Sequence, residues 1–266
     1  MASRKEQREE ARKQREEREA EERKKQRRKR RMWQIGAPLV ALIVIIVAIV
    51  AITSSGGGGD KKVTKQEGQR STDLFEGIAQ NGTQLGNPQA KVTLYEFDDL
   101  QCPFCRQFTV DSGVFPQIVE KYVKPGKLKM QWRNMTFIGP DSVTAGRAAI
   151  AAGAQNRLWT FADLFYKNQG TENTGYVTDK FIENVATGAE LDVAKLKADM
   201  SAPFVEEALG SAQNQAQEFG INSTPSFLIQ IGHSKPTKLT YQQFKFDQFS
   251  KPIDDALRKA GVPAGT

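Results

Sequence analysis

The sequence predicts an α/β domain running β-α-β, then about four helices, then β-β-α, carried behind a single apolar membrane span. Three observations predict it. Residues 92–97, Val-Thr-Leu-Tyr-Glu-Phe, read as a buried strand. Residues 127–135 alternate, with Leu128, Met130 and Trp132 on one face and Lys129, Gln131 and Arg133 on the other, which is a second strand. From residue 145 to 219 the apolar positions instead recur at helical spacing, before two strand-like segments return at 226–231 and 237–241.

The N-terminus comes first in order. Residues 1–31 hold 15 of the 38 Lys and Arg and 8 of the 31 Asp and Glu, which leaves 23 of each for the rest. The basic excess therefore belongs to the tail, and the neutral remainder argues against a nucleic-acid-binding domain. No charged residue appears between Arg31 and Asp60, and residues 35–52 are almost purely aliphatic. Eighteen such residues span about 27 Å as a helix, so residues 32–54 read as a transmembrane signal-anchor. The run Lys24-Lys25-Gln26-Arg27-Arg28-Lys29-Arg30-Arg31 abuts it and places the tail in the cytoplasm and everything after the span outside. That run is read first as a topology signal and second as a contact for anionic lipid. A cleaved signal peptide fits less well, because its n-region would be far too long.

Residues 55–85 read as a flexible linker, Gly-rich at 56–59 and polar thereafter, with Leu74, Phe75 and Ile78 as its only anchors. The compact domain is expected from 86 to 262, with a helical insertion at about 140–219. A helix starts at Cys102 with Pro103 at its first position, and Gly113 and Pro116 bend or interrupt it. In the insertion Ala145, Ala148, Ala149 and Ala152 form a small-residue face, and Leu158, Phe161, Ala162 and Phe165 an amphipathic stripe. Ser201 is expected to cap the last inserted helix, which Gly220 ends. A hairpin loop at 232–236 and a terminal helix at 246–259 complete the order.

The chemistry centres on Cys102-Pro103-Phe104-Cys105, which holds the chain's only 2 cysteines. As a staple this pair closes a loop worth roughly 2 kcal/mol, less than half of what a hundred-residue loop gives. As a zinc site it lacks ligands, since the chain has 1 histidine, His233, read as a surface residue of the hairpin loop. What remains is thiol–disulfide exchange, with the Cys102–Cys105 disulfide as the redox group and no further cofactor or metal expected. A helix N-terminus favours a thiolate, so Cys102 is the expected nucleophile, while Cys105, one turn in, is suited to resolve the mixed disulfide. Ser223-Thr224-Pro225 stands just before a strand. A cis Thr224–Pro225 bond beside the cysteines would expose the Thr224 backbone to an extended substrate.

Residues 86–108, through Tyr95-Glu96-Phe97-Asp98-Asp99-Leu100-Gln101 to Cys102-Pro103-Phe104-Cys105, resemble the opening of the DsbA-like thioredoxin-fold oxidoreductases. The likeness is greatest to the membrane-anchored forms of monoderm bacteria. Residues 219–229 are similar to the family's cis-proline segment. The resemblance implies a thioredoxin fold with a helical insertion, Cys102 as nucleophile, Cys105 as resolving thiol and Pro225 as the cis-proline. Glu96, six residues before Cys102, falls where the family keeps a buried acid, and would shuttle the proton of Cys105. A strand-end surface glutamate is the plain alternative, and Asp98 and Asp99 are expected to face solvent.

One departure matters: Phe104 stands where the most oxidising members carry histidine, so the disulfide should be milder, and Phe104 offers an apolar contact to unfolded chains instead. Sequons begin at Asn81, Asn134 and Asn222 and read as chance matches, since a glycan at Asn222 would block the Pro225 groove. The expected function is a membrane-tethered extracytoplasmic thiol:disulfide oxidoreductase that introduces disulfides into reduced or unfolded exported proteins. The resemblance implies re-oxidation by a membrane thiol oxidase of DsbB or VKOR type. A thiol reductase and a non-catalytic binding or assembly protein on the same scaffold are the alternatives.

Overall fold

The computed structural model describes residues 62–264; the charged tail, the apolar span and the Gly-rich stretch of the sequence lie outside them. Among the described residues no helix is long and apolar enough to cross a membrane. The order is α1 (Lys65–Leu74), β1 (Gln80–Asn81), β2 (Gln84–Leu85), β3 (Val92–Asp98), α2 (Pro103–Arg106), α3 (Val114–Ile118), β4 (Leu128–Asn134), α4 (Pro140–Gly153), α5 (Leu158–Lys167), α6 (Asp179–Gly188), α7 (Val193–Asp199), α8 (Pro203–Glu218), β5 (Ser226–Ile231), β6 (Thr237–Leu239) and α9 (Phe246–Lys259).

The strands form a six-stranded sheet in the order β1-β2-β4-β3-β5-β6. β3 pairs parallel with β4, setting Glu96 opposite Trp132 and Asp98 opposite Asn134, and antiparallel with β5, setting Glu96 opposite Phe227. A strand with neighbours on both edges and helices over its faces must be buried throughout, and six of the seven β3 residues are. That is the α/β thioredoxin-type arrangement, with a helical insertion from α4 to α8.

Several local expectations change. Residues 62–85 are not a flexible linker: α1 and the β1–β2 hairpin join the domain, and β2 pairs with β4 through Gln84 and Leu85. α1 itself is mostly polar, which hides it from an apolar pattern, although Phe75 just past it and Leu85 of β2 are buried in the core. Ser71 of α1 donates to Asp163, whose carboxylate also receives Lys167 Nζ at 2.6 Å. Gly68 lets α1 approach α6 so closely that a β-carbon there would lie 2.8 Å from the Gly188 carbonyl oxygen. The legible signal was the capping box, Thr64 with Glu67. The last inserted helix is capped by Ala202 rather than Ser201, because Pro203 takes the first helical position. The long helical stretch breaks into α4 and α5 at Asn156, which sits at φ 57°.

The cysteine helix is broken as expected. π-helical turns at Gln107–Asp111 and Val119–Val123 follow α2 and α3, and Gly113 at φ 71° separates them. Phe108 locks this segment to the sheet: its ring lies 4.7 Å from that of Phe227 and 5.2 Å from that of Phe249. Phe115 stacks on Trp159 of α5 at 5.9 Å, so the insertion holds the same segment from the other side. Burial of one such ring contributes about 1.5–3 kcal/mol, which makes the cysteine helix a rigid platform.

Candidate active site

Cys102 is the N-cap of α2, with extended backbone (φ −69°, ψ 121°), and Pro103 follows at the first helical position. Its amide donates to the Asp99 carbonyl at 2.8 Å, and Gln169, beyond α5, donates from Nε2 to the Leu100 carbonyl at 2.8 Å and the Cys102 carbonyl at 3.1 Å. The insertion thus fixes the turn that presents the thiol. Nothing in the sequence distinguished Gln169 for this role.

The two thiols are free, and their surroundings differ sharply. The Thr224–Pro225 peptide is cis, and Cys102 Sγ lies 3.4 Å from the Thr224 carbonyl oxygen. Cys102 is pulled down to about 6, foremost by the Cys105 thiol, against the opposing cost of burial, with help from Thr224 and the Cys105 and Phe104 amides. Cys105 is fully buried, and burial foremost pushes its thiol well above the usual range, with hydrogen bonding to Cys102 and the charge of Asp98 adding to it. One cysteine is therefore set up to attack and the other to wait.

Pro103 and Phe104 lie on the open side, and Phe104 is 63% exposed. Phe104 helps line a groove of about 630 Å³ with Ser223, Thr224, Pro225, Tyr241 and Phe244. Tyr241 is tied to the cis-proline: β6 ends at Leu239 instead of continuing to residue 241, and the Tyr241 hydroxyl donates to the Pro225 carbonyl at 2.6 Å. His233 is exposed in the hairpin loop. Asn134 of the second sequon is buried.

Glu96 is buried, as a buried acid requires, and burial foremost raises its carboxyl well above the usual range. Asp98 and Asp99 correct the expectation of solvent exposure, since both are fully buried. Asp98 continues β3 onto the face that carries Glu96, two residues on, so a strand that turns one inward turns the other inward too. Burial foremost lifts Asp98 to about 7, although contacts from Cys105, Glu96 and Tyr166 hold it back. Asp99 plays a different part, because its carboxylate accepts from the Ser142 hydroxyl at 2.7 Å, the Gln101 amide at 2.9 Å and the Ile138 amide at 3.3 Å. It ties the loop before the cysteines to the start of α4. Tyr166, one residue past the α5 stripe, donates to Asp98 Oδ2 at 3.1 Å. Asp98, Tyr166 and Gln169 are the site residues that sequence reasoning missed; period-two alternation from Glu96 was the signal for the first.

A low thiol at a helix N-terminus, a buried partner thiol and buried carboxyls beneath them can pass a disulfide to another molecule and manage the proton that goes with it. A thioredoxin family model matches residues 79–255. A probable disulfide bond formation protein D of Bacillus anthracis is 30% identical over 179 residues, covering 66% of this chain and 78% of the relative. The crystal structure of oxidised BdbD from Bacillus subtilis is 22% identical with a TM-score of 0.57, over 68% of this chain and 97% of that one. Alpha-DsbA1 of Wolbachia pipientis shares the fold at 20% identity and a TM-score of 0.57, over 71% and 97%. The chain belongs to the thioredoxin family, as a DsbA-like thiol:disulfide oxidoreductase.

Proposed function

We propose that this oxidoreductase works as a disulfide donor, membrane-tethered and outside the cytoplasm, acting on reduced or unfolded exported proteins. The observation that carries the direction is Cys102 at the helix N-terminus, held near 6 by Cys105, Thr224 and two backbone amides. A stabilised thiolate stabilises the dithiol form, and a disulfide whose reduced form is stabilised is an oxidant. A substrate thiolate attacks Cys102 Sγ, the Cys102–Cys105 bond breaks and Cys105 leaves. A second substrate thiolate then attacks the substrate sulfur of the mixed disulfide and releases Cys102 as thiolate. The groove beside Pro225, with exposed Phe104 at its rim, suits an extended apolar segment.

Location rests on the sequence: the aliphatic residues 35–52 preceded by the basic run support a single span with the domain outside. Disulfides persist there. Re-oxidation then falls to a membrane thiol oxidase of DsbB or VKOR type, and the basic tail is free to meet anionic lipid on the cytoplasmic side.

Equilibrating the full chain in detergent with glutathione buffers, and counting disulfide by mass spectrometry, tests the direction. An oxidant sits nearer about −120 mV than about −270 mV, the values typical of a strong donor and of a reductant. A potential at or below the lower value would make the protein a reductase.

A further inference from the structure

Glu96 Oε1, Glu96 Oε2 and Asp98 Oδ1 are buried without an aligned hydrogen-bond donor. Such atoms are costly, and a native protein keeps them for a reason. The two carboxyls lie against each other on one face of β3, and their placement relative to the cysteines is not symmetrical. Asp98 is in hydrogen-bonding contact with the Cys105 thiol, Glu96 and Tyr166, whereas the hydrogen-bonding contact of Glu96 is with Asp98 and Cys105 responds to the charge of Asp98. The Tyr166 hydroxyl, 3.1 Å from Asp98 Oδ2, occupies one oxygen and leaves Oδ1 as the open one. Contacts of this kind are often loose in the resting protein and tighten during reaction.

We propose that Asp98, rather than Glu96, is the group that exchanges the proton with Cys105, with Glu96 as a second carboxyl behind it and Tyr166 as the residue that aims it. The assignment rests on the disulfide-exchange reading above. In donation, the Cys102–Cys105 bond breaks as a substrate sulfur bonds to Cys102, and the departing Cys105 thiolate takes the proton of the Asp98 carboxyl. In re-oxidation, Cys102 is held in a mixed disulfide. Cys105 gives its proton to the Asp98 carboxylate and its sulfur bonds to Cys102, and the outside sulfur leaves with the electron pair of the broken bond. Asp98 at about 7 is available in both forms near neutrality. The titratable groups that face it are Glu96 on its own strand, Cys102 and Cys105 on the α2 segment, Tyr166 on α5 and Tyr241 after β6.

The test mixes the reduced full chain with glutathione disulfide, quenches with acid, and separates the Cys102–glutathione adduct from the closed disulfide by mass spectrometry. Asp98→Asn should form the adduct at nearly the wild-type rate, close it about a hundredfold more slowly, and lose the rise in closure rate through pH about 7. Asp98→Glu should restore part of that rate and its pH profile, and Glu96→Gln should slow closure less than Asp98→Asn does. Tyr166→Phe keeps the carboxyl but removes its aligned donor, so the inflection should move upward; this variant also serves if Asp98→Asn does not fold. Closure by Asp98→Asn at the wild-type rate and pH profile, a larger defect in Glu96→Gln, or an unmoved inflection in Tyr166→Phe would each overturn the assignment. A wild-type protein that forms no adduct at Cys102 would overturn the exchange reading and the assignment with it.

Discussion

The domain buries carboxyls on α5 and at the end of β3, and treats them in opposite ways. Asp163 on α5 is 2% exposed and engaged twice at Oδ2: Ser71 of α1 donates to it and Lys167 meets it at 2.6 Å. Asp98 and Glu96 are as deeply buried, yet three of their four oxygens have no aligned donor. A buried acid with its partners in place fixes structure, here the docking of α1 on the insertion. A buried acid without them is held in readiness to gain or lose a proton, which is what the thiols beside it need. The difference separates scaffold from chemistry without reference to distance from the cysteines.

The largest effects should divide along that line. Cys102→Ser should drop oxidative refolding of a reduced client protein to the uncatalysed rate, with circular dichroism unchanged, and Cys105→Ser should accumulate the mixed disulfide. Retained refolding activity in Cys102→Ser would point to the non-catalytic scaffold reading instead.

On the scaffold side, Asp163→Ala should lower stability to urea by about 3 kcal/mol, because it leaves the Ser71 hydroxyl without its acceptor and the Lys167 ammonium without its counter-charge, with the Ser71 oxygen at 2.9 Å as its remaining partner. Lys167 keeps a 24% exposed side chain, so water relieves part of the loss and the value belongs at the low end for buried pairs. The folded fraction should exchange disulfides at the wild-type rate. A loss below about 0.5 kcal/mol would reduce the cluster to an ordinary surface pair.

The carboxyl pair should show the reverse. A folded-state carboxyl raised above its unfolded value binds its proton more tightly in the native state, so stability is lost as pH rises from the unfolded value towards the folded one. For Asp98 that window runs from about 4 to about 7, and Glu96 is raised in the same direction. The oxidised protein, where neither cysteine titrates, should therefore weaken across this window by about 4 kcal/mol, three pH units at about 1.4 kcal/mol each. Asp98→Asn should flatten the curve and be the more stable protein at pH 8. Urea titrations at pH 4.5 and 8 decide it; a steeper curve in the variant would mean the pair is stabilised as anions.

The sheet and the cysteine helix were legible because each is written in an apolar or capping pattern: β3, β4, β5 and α9 begin within a residue of where alternation and periodicity put them. What was hidden is polar. α1 has Leu74 as its one aliphatic residue and is held by Ser71, Gly68 and the Asp163–Lys167 pair beside the Phe75 that follows it, so a hydrophobic reading leaves it as linker. Glu96, Cys102, Cys105, Thr224 and Pro225 converge as the motifs implied, with Phe104 at the rim. Asp98 was misplaced because two adjacent acids at a strand end ordinarily mark a surface; alternation from Glu96 points the first of them inward once the backbone carries β3 one residue further. Tyr166 and Gln169 come from the insertion, and no local spacing relates them to a motif some 65 residues earlier.

The smallest expected effect lies on the open side of the site. Phe104 is 63% exposed, and its backbone amide already supports the Cys102 thiolate whatever the side chain is. Phe104→His would add an imidazolium beside the sulfur, favouring the thiolate, but at the positive end of a helix and largely in water, where its field is screened. Cys102 already stands near 6 without it, through Cys105, Thr224 and two amides. The gain should therefore be modest, about 30 mV towards the oxidising side, or about 1.4 kcal/mol for this two-electron couple. Glutathione equilibria on both proteins at one pH measure it directly. A potential unchanged or lowered in the variant would mean that the Cys105 thiol and the helix amides alone set the balance, and that the residue before Cys105 tunes what the protein touches rather than how strongly it oxidises.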